Sequence, residues 1–235
     1  MASPDFSRRA DEPEWMDVRQ WPRADFAAIL NDLEQANLLT FAAHPTLDFL
    51  ARLTRGWPPG AELRVADLGY GRGDMLRRIH RWAVSRGLRP RLTGVDLNPH
   101  CRALAGELTP PGLAIDWHQG DLFDWAPAEP PHAIVSALFA HHLPAADVQR
   151  LLTWQEATAS HGWFVNDLHR HWLAWRGFRA LAWAMRWHPC VRHDGALSVR
   201  RAFVHDDWRA MLAEAGLAAD IRWHPLFRLC VGRIK

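Results

Sequence analysis

Cysteine is scarce in this chain of 235 residues: Cys101, Cys190 and Cys230 lie far apart, and none stands in C-x-x-C spacing. Neither a paired-thiolate zinc site nor a disulfide framework is implied, and a reducing cytoplasm fits. No apolar run reaches membrane-spanning length; the most apolar piece, from His171 to Pro189, is interrupted by Arg176, Arg179 and Arg186. The first dozen residues are polar and acidic and lack the apolar stretch of a secretory signal, so a cytoplasmic location is expected. Runs of basic residues are missing too. The formal net charge is only +2 and the arginines are scattered, with no stripe to track a phosphate backbone, so nucleic acid is not an expected partner. Fourteen histidines include no H-E-x-x-H and no paired Cys/His spacing, and no metal is expected. Tyrosine occurs once, against fourteen tryptophans.

What is present is the composition of one globular domain, 49% hydrophobic and 23% charged. Residues 1–22 are acidic and proline-containing and predict an irregular, loosely packed segment. Apolar residues at helical spacing (Phe26, Ile29, Leu30, Leu33, then Leu47, Leu50) predict helices over 24–54, broken at Pro45. From residue 63 strands and helices alternate, which predicts an α/β fold with a mostly parallel sheet and helices on both faces. Domain boundaries follow: 1–60 as a helical extension that forms part of a lid, and 61–235 as the main domain, with a helical insertion about 170–190.

The stretch from Val65 to Asp74, VADLGYGRGD, places Asp67 and three alternate glycines, Gly69, Gly71 and Gly73, between a strand and a helix. Glycines there let the backbone turn and approach a ligand, and the acid can accept from a cationic amino group. The spacing is G-x-G-x-G, not the G-x-G-x-x-G of dinucleotide sites, which argues against an NAD-dependent dehydrogenase. A second strand ends at Asp96, where nucleotide-binding folds set a carboxylate against ribose hydroxyls. The loop resembles motif I of class I S-adenosylmethionine-dependent methyltransferases, and His118 to Leu122, HQGDL, resembles the family's third motif. The resemblance implies a Rossmann-like seven-stranded sheet closed by an antiparallel hairpin about Pro225, and S-adenosyl-L-methionine as cofactor. It assigns the methionine end to Asp67 and the glycines, the ribose to Asp96 with Leu97 beside it, and the adenine to Asp121 and Leu122. Tyr70 departs from the pattern, in which a small residue or Cys is frequent; a ring there should pack outward or narrow the cofactor site.

The same resemblance makes the insertion after the fifth strand a lid over the acceptor. Trp172, Trp175, Trp183 and Trp187 concentrate flat apolar area there. Trp172, Trp175, His193 and Arg200 are the candidate acceptor-binding residues; the alternative, a membrane-surface face of tryptophans and arginines, stays open. His141 and His142 follow one strand at the sheet's C-terminal edge and His169 and His171 another. The stretches from Val165 to His171 and from His193 to Arg201 resemble a bacterial small-molecule subgroup met beside polyketide-synthesis enzymes and favour His169 as general base, with His142 assisting. The segment from Ser136 to Ala140, at the end of the strand expected over 132–138, lacks both the acid of the metal-dependent catechol type and the Pro-Pro-aromatic box of amino-group methylases. The expectation is therefore O-methylation of a small apolar, aromatic or polyketide-like acceptor at a phenolic or enolic hydroxyl. C-methylation and a catalytically silent cofactor-binding partner of a biosynthetic complex are the alternatives, and the choice between monomer and dimer stays open.

Overall fold

A computed structural model describes residues 4–235; the first three residues of the N-terminal segment lie outside it. Five strands run parallel: β1 (Glu62–Leu68), β2 (Arg89–Asp96), β3 (Ile115–Gln119), β4 (Ala133–Ala137) and β5 (Gly162–Leu168). Two more, β6 (Asp220–His224) and β7 (Arg228–Ile234), form an antiparallel hairpin, and β7 pairs antiparallel with β5. The order across the sheet is β3-β2-β1-β4-β5-β7-β6. The chain order reverses between β1 and β4, and there the C-terminal strand ends open a crevice. The central strands β4 and β5 are buried on both faces, as a sheet sandwiched between helices requires.

Helices α3 (His44–Leu53), α4 (Asp74–Ser85) and α5 (Pro99–Glu107) cover one face, over a core that includes Phe49, Leu50, Leu63, Leu76 and Ile79. Helices α6 (Ala145–Thr158) and α9 (His205–Glu214) cover the other, where Trp163 and Trp208 are fully enclosed. Each enclosed indole contributes roughly 2–3 kcal/mol of apolar transfer. A third, smaller core joins α2 (Arg23–Leu39), α7 (Trp172–Ala184) and α8 (Pro189–Arg201) above the crevice, through Ile29, Ala182, Trp187 and Val191.

Two expectations are corrected. The insertion is two helices, not one: the His193-Asp-Gly195 stretch, beyond the expected insertion, lies inside α8. Gly195 is tolerated in that helix because Phe178 of α7 packs on it; a Cβ there would stand 2.1 Å from the Phe178 ring. The N-terminal segment, in turn, is tightly bound. Arg9 donates to the carbonyls of His141 and Leu143 at 2.6 and 2.7 Å, and the short helix α1 (Trp15–Val18) is tied to α8. Asp194 accepts from the main-chain nitrogens of Trp15 and Met16, both at 2.9 Å, which satisfies N–H groups that a helix start leaves unpaired.

Candidate active site

The strand ends, the glycine loop, α2, α7, α8 and the N-terminal strap enclose one cavity of about 1140 Å³. At its sheet end, Gly69, Gly71 and Gly73 have φ of 71°, 53° and 75°, in the left-handed region that side chains avoid. Gly73 has a second reason to be glycine, because a Cβ would meet Trp117 at 2.2 Å. Tyr70, the departure from the family pattern, is buried against Trp117 over Gly94, whose missing side chain makes room for the ring; a Cβ there would lie 2.6 Å from it. Tyr70 also lines the cavity, and its hydroxyl is buried without a partner.

Three carboxylates converge beneath the loop. Burial pushes the Asp67 carboxyl well up, and Asp74 and Asp96 push it further. Burial also raises Asp74, with Glu34 adding to it. Asp96 is raised by burial against the pull of two main-chain donors, Gly71 at 2.9 Å and Asn98 at 2.8 Å. Such a cluster of under-compensated negative charge fits a cationic ligand with an ammonium and a sulfonium, whose charge would relieve it. Asp121 lies exposed at the rim, Leu122 is buried and Leu97 is 71% exposed, and all three line the cavity.

At the opposite wall stands an acid–histidine cluster. Asp167, at the end of β5, is 1% exposed and grips His141 twice, through Nδ1 at 2.6 Å and the main-chain nitrogen at 2.9 Å. Burial would raise Asp167, but His141 and these hydrogen bonds hold it below the ordinary carboxylate range. Asp167 holds the Nδ1 side of His141, which turns the other ring nitrogen, Nε2, toward Glu14. His142 bonds Asp17 through Nδ1 at 2.9 Å. Burial alone would lower His142, but Glu14 and Asp17 outweigh it and push it up to about 9. Glu14, 2% exposed, sits between the two imidazoles, 3.8 and 3.9 Å from their Nε2 atoms, and accepts from Ser198 Oγ at 2.9 Å.

The donors of Glu14, His141 and His142 lie within 4.8 Å of one another, a set that could hold a divalent ion. Arg201, 3.8 Å from Glu14, and the hydroxyl of Ser198 already serve that carboxylate, so the set also stands as an acid–base cluster.

His169 does not join this cavity. Strand alternation turns Leu168 toward it and His169 away; the latter's main chain bridges Phe203, and burial lowers its pKa. Trp172 and Trp175 are likewise absent from the lining. The cavity face of α7 carries Leu173, Ala174, Gly177, Phe178 and Leu181, and the two indoles lie on other faces of the same helix. His193 stacks on Trp15, with ring centroids 3.9 Å apart, and Arg200 reaches toward Glu12. The residues of α8 that do line the cavity include Val191, Asp194, Ser198 and Arg201, spaced along one face of the helix. Sequence reasoning missed Glu14, Asp17 and the His141–Asp167 pair; the adjacent histidines straight after β4 were the available signal.

Residues 65–159 match a family profile described as a methyltransferase domain. The profile covers those residues alone; the sheet order and the closing hairpin are seen in the structure. The fold is a methyltransferase fold. The plantazolicin methyltransferase BpumL, in complex with a triazolic desmethylPZN analog and SAH, superposes with a TM-score of 0.62 at 13% identity, over 91% of this chain and 95% of that one. The magnesium protoporphyrin IX methyltransferase ChlM of Synechocystis PCC 6803, with bound SAM, gives 0.52 at 13% identity, over 82% and 80%. A pericyclic reaction enzyme gives 0.57 at 16% identity, over 79% of this chain and 47% of that one. A search of curated proteins by sequence finds no match. Among the described residues no helix of this methyltransferase fold is long and apolar enough to cross a membrane.

Proposed function

We propose that this chain transfers a methyl group from S-adenosyl-L-methionine to a phenolic or enolic oxygen of a small apolar, aromatic or polyketide-like acceptor. The observation that carries this reading is the His141–Asp167 dyad, which faces the same cavity as the glycine loop. Asp67 would hold the methionine ammonium, Asp96 the ribose, and Asp121 the adenine, with Leu97 and Leu122 packing beside them. Bound there, the cofactor would supply an electrophilic methyl group on a sulfonium. His141 Nε2 takes the proton of the acceptor hydroxyl, and Asp167 and Glu14 stabilise the imidazolium that results. His142, with its pKa raised to about 9, is already protonated near neutral pH and serves instead to balance Glu14 and Asp17. His169, outside the cavity, has no acceptor to deprotonate. The apolar helix faces of α2, α7 and α8 make the acceptor compartment, and the strap with the segment up to Ala43 completes a lid, while residues 44–60 pack on the sheet instead.

C-methylation of an activated ring would use the same base. Because a pericyclic reaction enzyme shares the fold, the fold alone does not establish methyl transfer. The deciding experiment is turnover with labelled S-adenosylmethionine across phenols and enolised polyketides, in wild type, His141→Ala, Asp167→Asn and His169→Ala. The first two should lose on the order of a hundredfold or more in kcat, and His169→Ala less than a few-fold. Equal activity in His141→Ala, with the cofactor bound, would remove the dyad from the reaction.

A further inference from the structure

Four arginines are nearly excluded from solvent, and three of them are well served. Arg77 donates to the Arg72 carbonyl and to Glu34, Arg170 to the carbonyls of Phe6 and Ala202 and to Asp207, and Arg201 to the carbonyls of Glu12, His141 and His142. The fourth, Arg228, is the first residue of β7, is 3% exposed and lines the cavity. One of its nitrogens, Nη2, donates to Thr40 Oγ1 at 3.1 Å; Nε and Nη1 are buried without an acceptor. Burial works against its charge, and the acid that partly offsets this, Asp167, is committed to His141. A guanidinium cannot shed its proton under ordinary conditions, so the cost of burying it unpaired persists until an acceptor arrives.

Its place in the sheet says where that acceptor would lie. Arg228 stands opposite Leu168 in the β5–β7 register, one residue beyond the aspartate that grips the base. Thr40, Leu168, Leu226 and Phe227 around it also line the cavity, and because Nε and Nη1 themselves have almost no accessible surface, an acceptor entering from the cavity would reach them by displacing these neighbours. We infer that Arg228 is the recognition site for a carboxylate, or an equivalent oxyanion, on the methyl acceptor. The acceptor class narrows to hydroxylated aromatic or enolic acids, with the anionic group held at β7 and the hydroxyl directed to His141. This rests on the methyl-transfer reading for the identity of the ligand, but the orphaned charge stands without it.

The test is calorimetric binding of matched acid and methyl-ester pairs, hydroxybenzoates and hydroxynaphthoates, to the protein with and without S-adenosylhomocysteine. Wild type should prefer the acids by tenfold or more. Arg228→Met should abolish that preference and Arg228→Lys, which keeps the charge but not the fork, should retain part of it. Affinity for S-adenosylhomocysteine should stay within a few-fold in both. Thermal unfolding gives an independent readout: relieving an unpaired buried charge should raise the Tm of Arg228→Met, whereas a purely structural arginine would lower it. Ester binding equal to acid binding in wild type, failure of every acid to bind, or a lowered Tm in Arg228→Met with acid preference intact would each overturn the assignment. Failure to bind S-adenosylhomocysteine while acids still discriminate would instead remove the cofactor reading and leave Arg228 as an acid-binding site.

Discussion

Raising the pH should loosen this protein through His142. Its pKa rises from 6.5 to about 9 because Glu14 and Asp17 face a ring that burial alone would keep neutral. A group whose pKa is higher folded than unfolded contributes stability that is fully present below the unfolded value. That contribution is lost as pH climbs through the folded value, so the window runs from about 6.5 to 9. At ~1.4 kcal/mol per unit the upper bound is about 3 kcal/mol. Asp17 is 37% exposed, and solvent screening there lowers the realised figure to roughly half, about 1–2 kcal/mol. The assay is urea denaturation of wild type and His142→Gln at pH 6, 7.5, 9 and 10. The variant should be less stable at pH 6, with the gap closing as pH rises. Parallel stability curves with a constant gap would refute the reasoning, since they would mean that the ring contributes packing and no proton linkage.

Further outcomes follow from other parts of the site. Gly73→Ala forces a side chain to φ 75° and into Trp117, and should cost about 2–4 kcal/mol by strain and overpacking together with most of the affinity for S-adenosylhomocysteine, read by denaturation and calorimetry. Asp194→Ala removes the acceptor of Trp15 and Met16 and should speed amide exchange across residues 12–18 while leaving exchange in the central strands unchanged; uniform protection would show that the strap is held elsewhere. Prolonged dialysis against a chelator should leave turnover intact; a loss restored by a divalent cation would make Glu14, His141 and His142 a metal centre.

What was legible in the sequence was local. Residues 65–74 spell a strand, a glycine loop and a helix start without interruption, and Asp96 follows at the end of the next strand, so chain order alone sets the sheet end of the cavity. Which histidine meets a carboxylate inside the cavity was not legible, because it depends on which face of β5 points into the crevice and on Asp167 reaching across to the strand-end turn after β4. Glu14 and Asp17 were hidden for a related reason: they meet groups more than a hundred residues away, and no periodicity announces such a contact. Helix α8 lay beyond the expected insertion, and Gly195 within it serves as a contact surface for Phe178 only once α7 is packed against it. Tyr70 looked like an obstruction until Gly94, on the adjacent strand, supplied the space.

The strap has a consequence for timing. Residues 9–17 are fastened to α8 and to the turn after β4 through Arg9, Glu14, Trp15 and Met16, and they form part of the wall of the compartment where the acceptor would react. If traffic passes beneath this segment, each catalytic cycle includes an unfastening and a refastening, steps that proceed on the microsecond-to-millisecond scale of lid motion. Turnover would then track solvent viscosity more closely than acceptor reactivity, and the lifetime of the closed state, more than the strength of the base, would set the pace.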